Sequence, residues 1–220
     1  MLFNEIKGVI FDMDGTLIDS MWVWRKIDED FIRERGINLL PEELMGKISH
    51  LSFHETAEFF KREFMLPESV EDIKNHWNTM ARHEYIHHVL LKDHALEFLE
   101  ALKKKGIRMA IATSSSKELL EETIHSKGIA QYFDTIVTTD MAGKTKIEPD
   151  VYLLAAKNLG LNPREIAVFE DIPAAMIGAK KAGMLVFGVH DRFSEDKMEE
   201  ILGTCHHYIH HFGELLPHLI

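Results

Sequence analysis

Cysteine is nearly missing from this chain: one, Cys205, stands among 220 residues. An intrachain disulfide is excluded, and a reducing cytosol is the expected setting. Long apolar runs are missing too. None approaches the roughly 18 residues of a membrane span, and Met1 to Gly8 lacks a charged leader with an apolar core behind it. A cytoplasmic protein with no membrane partner is expected. Excess positive charge is also absent. Lys and Arg number 25 against 36 Asp and Glu, interspersed, for a net charge of −11. That excludes a basic nucleic-acid footprint, and an anionic substrate must be drawn in by local cations against the overall field. Repeats and low-complexity segments do not occur. What remains is 45% hydrophobic and 28% charged, which suits one globular core, or one core with an insertion.

The most informative segment runs from Val9 to Ser20: Val-Ile-Phe-Asp-Met-Asp-Gly-Thr-Leu-Ile-Asp-Ser. An apolar run that breaks at a glycine reads as a buried strand entering a turn. Asp12 and Asp14 sit at that break, where an unpaired buried charge is costly and needs compensation. A divalent cation is the simplest compensation, and a carboxylate beside one can act as a nucleophile. Taken alone, the pair also fits a surface turn with solvated carboxylates. An EF-hand loop is excluded: counted from Asp12, glycine comes fourth rather than sixth, and position twelve is Val23. Gly143-Lys144-Thr145 ends like a P-loop, but the first glycine of that motif would fall on Thr138. The paired histidines His206-His207 and His210-His211 flank Tyr208-Ile209, a short strand whose period-2 geometry sends neighbours to opposite faces. Solvated or partly packed histidines are expected there rather than a metal site.

Strands are predicted at 6–11, 107–112, 135–138, 166–169, 184–189 and 207–210, with helices between them. Helix 93–105 ends in three lysines and Gly106, cations and a cap at the negative end of the dipole. This alternation predicts an α/β fold, a Rossmann-like parallel sheet covered on both faces. Residues 18–90 break the rhythm. Ser52-Phe53-His54-Glu55 and Ser69-Val70-Glu71-Asp72 read as capping boxes, and Ala57, Phe60, Phe64 and Ile73, Trp77, Met80 recur at helical spacing. The predicted organisation is a catalytic core of 1–17 and 91–220 with an inserted all-helical cap domain of 18–90. The insertion leaves the core beside Asp12 and Asp14, at the sheet edge where open parallel sheets bind ligands.

Three further segments carry polar residues to strand ends. Thr113 and Ser114 follow an apolar strand at a helix start, where hydroxyls and free N–H groups suit a phosphate oxygen or simply cap the helix. Lys146 precedes Glu148-Pro149-Asp150, and its compact charge suits a phosphoryl group or a solvated loop. Glu170-Asp171 closes Ala167-Val168-Phe169 and repeats the logic of the first pair.

Together these segments resemble the haloacid dehalogenase-like hydrolase superfamily, in its branch with a helical cap after the first strand (the phosphoglycolate phosphatase and beta-phosphoglucomutase-like members). Asp12 to Ser20 matches the first family motif, Thr113-Ser114 the second, Lys146 the third and Glu170-Asp171 the fourth. Ile147, Ile172 and Ala175 replace the usual proline, serine and glycine. The resemblance implies a magnesium-dependent phosphatase acting on a small phosphomonoester, a sugar phosphate, through an aspartyl-phosphate. It implies Asp12 as nucleophile and Asp14 as acid and base. Mg2+ is implied on Asp12, the Asp14 carbonyl, Glu170 and Asp171, and phosphate oxygens on Thr113, Ser114 and Lys146. The second aspartate favours phosphoryl transfer over dehalogenation. Trp24, Lys47 and His50 are candidates for substrate specificity near the core–cap junction. The runner-up is a beta-phosphoglucomutase-like phosphosugar mutase; a phosphonate hydrolase using Lys47 as a Schiff base and a catalytically dead binding module are further alternatives. The expected partner is a small phosphorylated metabolite, with no nucleic acid, and the chain is expected as a monomer or weak homodimer.

Overall fold

The computed structural model describes all residues except 1, 2, 4, 38–43, 45, 46, 49, 50 and 220. Six strands form one parallel sheet: β1 (Gly8–Phe11), β2 (Arg108–Thr113), β3 (Thr135–Thr138), β4 (Ile166–Glu170), β5 (Leu185–Val189) and β6 (His207–Ile209). Their order is β3-β2-β1-β4-β5-β6, and every neighbouring pair runs parallel. The predicted strands are all present. β4 extends one residue beyond its predicted end, which carries Glu170 into the strand itself.

The chain winds outward from β1 in one direction and from β4 in the other. Between these two strands lies the topological switch point, where open α/β sheets leave a crevice at the carboxyl strand ends. Register fixes what reaches that crevice. Phe11 pairs with Ile111 on one side and Phe169 on the other, so Asp12 and Glu170 emerge at the same height.

Strand residues alternate between two cores, as period-2 geometry requires. On one face Val9, Phe11, Met109, Ile111, Ala167, Phe169 and Phe187 are buried together; on the other, Ile10, Ala110, Ala112, Val168 and Val186. Phe11, Phe169 and Phe187 stack across adjacent strands at centroid separations of 5.2 and 4.7 Å.

Between β1 and β2 the chain is helical: α1 (Met21–Glu34), α2 (Phe53–Glu63), α3 (Val70–His87) and α4 (Ala95–Lys104). Both predicted capping boxes form, Ser52 with Glu55 and Ser69 with Asp72. Phe31, Phe60 and Trp77 meet edge-on at 5.0–5.5 Å and join α1, α2 and α3 into a small aromatic core. α4 instead buries Phe98, Leu99 and Leu102 against the sheet. The rest of the α/β unit supplies α5 (Lys117–Ser126), α6 (Thr139–Ala142), α7 (Asp150–Leu159), α8 (Pro173–Lys181) and α9 (Met198–Thr204). No helix among the described residues is long and apolar enough to cross a membrane.

Candidate active site

Asp12 leaves the end of β1 with its N–H still donating to the Phe169 carbonyl at 3.0 Å, so the sheet itself sets its position. The chain then wraps around the Met13 carbonyl, which accepts from Leu17 N–H at 2.9 Å and Ile18 N–H at 3.1 Å. Gly15 makes that wrap possible. Its φ is +78°, and a Cβ there would sit 2.5 Å from Asp171 Oδ2, so both backbone and space demand glycine.

Asp12, Glu170 and Asp171 each bring a carboxylate oxygen within 4.8 Å of the others, and all three are buried. Lys146 bridges the first two: its Nζ donates to Asp12 Oδ1 at 2.5 Å and to Glu170 Oε1 at 2.7 Å. Tyr152 of α7 donates to the same Glu170 oxygen at 2.7 Å, while Glu170 Oε2 is buried with no partner among the described residues. The hydroxyls of Thr16 and Ser194 lie 3.4 Å from the two Asp171 oxygens. Lys146 reaches this depth because its loop lies directly on α8. A Cβ on Gly178 would stand 1.9 Å from the Lys146 carbonyl oxygen. Gly178→Ala is therefore expected to push the lysine loop outward, lowering Tm by several degrees and turnover at least ~10-fold, in line with overpacking penalties of about 1–3 kcal/mol. Melting and steady-state assays check it; wild-type values for both would contradict that contact.

One ammonium among three buried carboxylates leaves an electrostatic deficit. Burial, then Glu170, drives the Asp12 carboxyl well above its usual range, with Lys146 opposing. Asp171 is pushed up to about 8 by burial and Glu170, and burial raises Glu170 as well. Burial works against the Lys146 ammonium, but Asp12 and Glu170 outweigh it and raise its pKa. A hard divalent cation fits this donor set. It would answer the surplus of carboxylates and the orphaned Glu170 oxygen together.

Asp14 points aside from that cluster. Its Oδ1 accepts from Ser20 Oγ at 2.6 Å and from the Tyr85 hydroxyl; its Oδ2 accepts from Ser115 Oγ at 2.7 Å. Ser20 precedes α1 and Tyr85 belongs to α3, so helices inserted after β1 hold this carboxylate from one side and the β2 loop from the other. Thr113 is buried at the end of β2, its Oγ1 accepting from Ser115 N–H at 3.1 Å. Thr113 and Ser114 both line a cavity of about 410 Å³ between the acid cluster and the inserted helices.

Trp24 lines the same cavity and meets Phe53 and Tyr85 edge-on. Lys47 is exposed, pairs with Glu63 at 3.2 Å and is not among the cavity's lining residues. His50 lies outside the described residues. Tyr85, Ser115 and Tyr152 were not singled out by the sequence reading. Ser115 stood beside the chosen hydroxyls, but nothing local marks two tyrosines far along the chain as carboxylate partners. Lys92 likewise pairs with buried Asp191 at 2.6 Å, just behind Asp171.

A doubly wound parallel sheet, acids from two strand ends gathered at its switch point, and helices inserted over that edge define an α/β fold with an acid-lined candidate active site. The chain belongs to the haloacid dehalogenase-like hydrolases, whose family model matches residues 9–189, and it is an enzyme of their phosphatase kind. It is 32% identical over 197 residues to hexitol phosphatase A of Escherichia coli, covering 89% of this chain and 88% of that one. It is also 32% identical over 184 residues to the putative phosphatase YhcW of Bacillus subtilis, covering 81% of each. Among solved structures, a variant of CbbY from Rhodobacter sphaeroides, in complex with xylulose-(1,5)bisphosphate, superposes with a TM-score of 0.84 over 96% of both chains. At 23% identity that likeness concerns the fold.

Proposed function

We propose that this enzyme hydrolyses a small phosphomonoester, a sugar or polyol phosphate, through an aspartyl-phosphate on Asp12, with Mg2+ as cofactor. The observation that carries the reading is the convergence of Asp12, Glu170 and Asp171 on one buried locus with Lys146 bridging two of them. The hexitol phosphatase relative supports the substrate class. Residues 18–90 serve as the cap and 1–17 with 91–220 as the catalytic core. The single thiol of Cys205 is consistent with a cytoplasmic setting, and the chain works as a monomer or weak homodimer.

In this reading an Asp12 oxygen attacks phosphorus in line, and the ester oxygen leaves with a proton from Asp14. Asp14 then takes a proton from the water that attacks the aspartyl-phosphate, releasing inorganic phosphate and restoring Asp12. Lys146 and the Thr113 and Ser114 hydroxyls neutralise and orient the transferring oxygens. Asp12, the main-chain carbonyl of Asp14, Glu170 and Asp171 would hold Mg2+, which when bound supplies positive charge between nucleophile and phosphate. Hydrolysis of p-nitrophenyl phosphate and a panel of sugar phosphates tests the whole reading. Activity that disappears with EDTA and returns with Mg2+ is expected; no hydrolysis of any ester would refute it.

The acid cluster also sets a pH dependence. A carboxyl near 8 in the folded state and about 3.9 unfolded contributes stability fully present below pH 4 and lost as pH rises towards 8. Asp12 and Glu170 shift in the same direction. In EDTA, Tm is expected to fall between pH 5 and 8, while the rise in Tm on adding Mg2+ grows over that interval because the cation competes with those protons. A metal-induced shift of equal size at pH 5 and pH 8 would contradict this.

A further inference from the structure

The lining of the cavity holds a further buried carboxylate that the proposed mechanism does not use. Asp28 lies one turn along α1 from Trp24, on the same face, and is only 9% exposed. It lines the cavity. Among the described residues no hydrogen-bond donor or cation touches it, and burial, then Glu29, raises its carboxyl to about 7. A folded chain rarely leaves a buried carboxylate without donors unless something outside the chain supplies them. The same cavity is lined by the converse group: the Trp77 indole N–H is buried and has no acceptor among the described residues. The inserted helices add the apolar Trp24, Leu51 and Phe53 and the polar Glu55 and Thr56 to the same lining.

A carboxylate wanting donors, and an N–H wanting an acceptor on another residue of the same cavity, match hydroxyl groups, which do both. They do not match a second anion. Lys146 is the one cation among the described lining residues, and Asp12 and Glu170 already engage it. Resting on the phosphatase reading above, we infer that Asp28 is a specificity-determining residue. It accepts hydrogen bonds from hydroxyls of an uncharged, polyhydroxylated substrate tail and rejects tails that carry a second phosphate or a carboxylate. The volume, about 410 Å³, is within the range of small-molecule sites.

The test compares wild type, Asp28→Asn and Asp28→Leu on four probes: p-nitrophenyl phosphate, sorbitol 6-phosphate, fructose 1,6-bisphosphate and glucosamine 6-phosphate. The wild type is expected to prefer sorbitol 6-phosphate to the bisphosphate at least ~10-fold in kcat/KM, since a site built for hydroxyls discriminates through its own unpaired polar groups. Asp28→Leu should raise KM for sorbitol 6-phosphate and cut its kcat/KM relative to that for p-nitrophenyl phosphate at least ~10-fold. Asp28→Asn, close in shape, should narrow the discrimination against the bisphosphate and, with a buried charge removed, keep or raise Tm at pH 8. Unchanged substrate ratios in both variants would overturn the assignment, and so would a wild-type preference for the bisphosphate. A ~10-fold preference for the amino sugar phosphate would overturn the uncharged tail in favour of a cationic one. Failure of the wild type on p-nitrophenyl phosphate and every other ester would instead refute the phosphatase reading itself.

Discussion

Asp12→Asn is expected to give a folded protein whose turnover of any phosphomonoester is down at least ~10³-fold, because the amide offers no anionic oxygen to phosphorus. Folding should not suffer. Asp12 is buried, its carboxyl is driven upward by burial and Glu170, and its backbone N–H is tied to β4 at 3.0 Å whatever the side chain. Removing one of three crowded carboxylates relieves repulsion, and Lys146 keeps Glu170 as a partner at 2.7 Å. The metal-free variant should therefore melt at or above the wild-type temperature. Loss of activity with an equal or higher Tm separates a chemical role from a structural one; near-normal hydrolysis by the variant would remove Asp12 as the nucleophile.

For Asp14→Asn we expect kcat/KM on alkyl phosphates to fall by ~10²–10⁴, the usual worth of a positioned general acid. The signature is dependence on the leaving group. A sugar alkoxide needs a proton as it departs and p-nitrophenolate does not, so kcat/KM on the aryl ester should fall much less. Metal-dependent stabilisation should persist, since only the main-chain carbonyl of residue 14 is proposed to reach the cation. The fold should persist as well: an asparagine oxygen can accept from Ser20 and Tyr85, and the Ser115 hydroxyl can turn to accept from its amide. Equal losses on alkyl and aryl esters would contradict the acid role.

The sheet was legible because its central strands are short continuous apolar runs, buried on both faces, and because acidic residues stand where two of those runs stop. Asp12 and Glu170-Asp171 carry unusual residue types at such stops; Lys146 lies in a loop beyond α6, where its charge alone suits a solvated loop, and it was the resemblance to the family that joined it to the acids. The helical insertion was legible through its capping boxes. The partners of Asp14 were not. Tyr85 lies 71 residues from Asp14 along the chain, in a helix where its ring reads as packing, and only the fold of α3 back over the β1 turn brings its hydroxyl to the carboxylate. Asp28 was hidden for a different reason. It stands in the acidic stretch Asp28-Glu29-Asp30, which in sequence looks like a solvated helix face; burial by neighbouring helices turns one of the three inward. Lys47 shows the reverse case. Its charge suggested an anion site, but charge carries no direction in sequence, and the structure answers it with Glu63 on the surface.

The most direct test is to quench a single turnover in acid, with a phosphoryl-labelled ester and Mg2+, and locate the label. One hydroxylamine-labile phosphoryl group on the peptide containing Asp12, absent from Asp12→Asn, is expected. Rapid phosphate release with no labelled protein at any quench time, or a label on another residue, would contradict covalent transfer to Asp12.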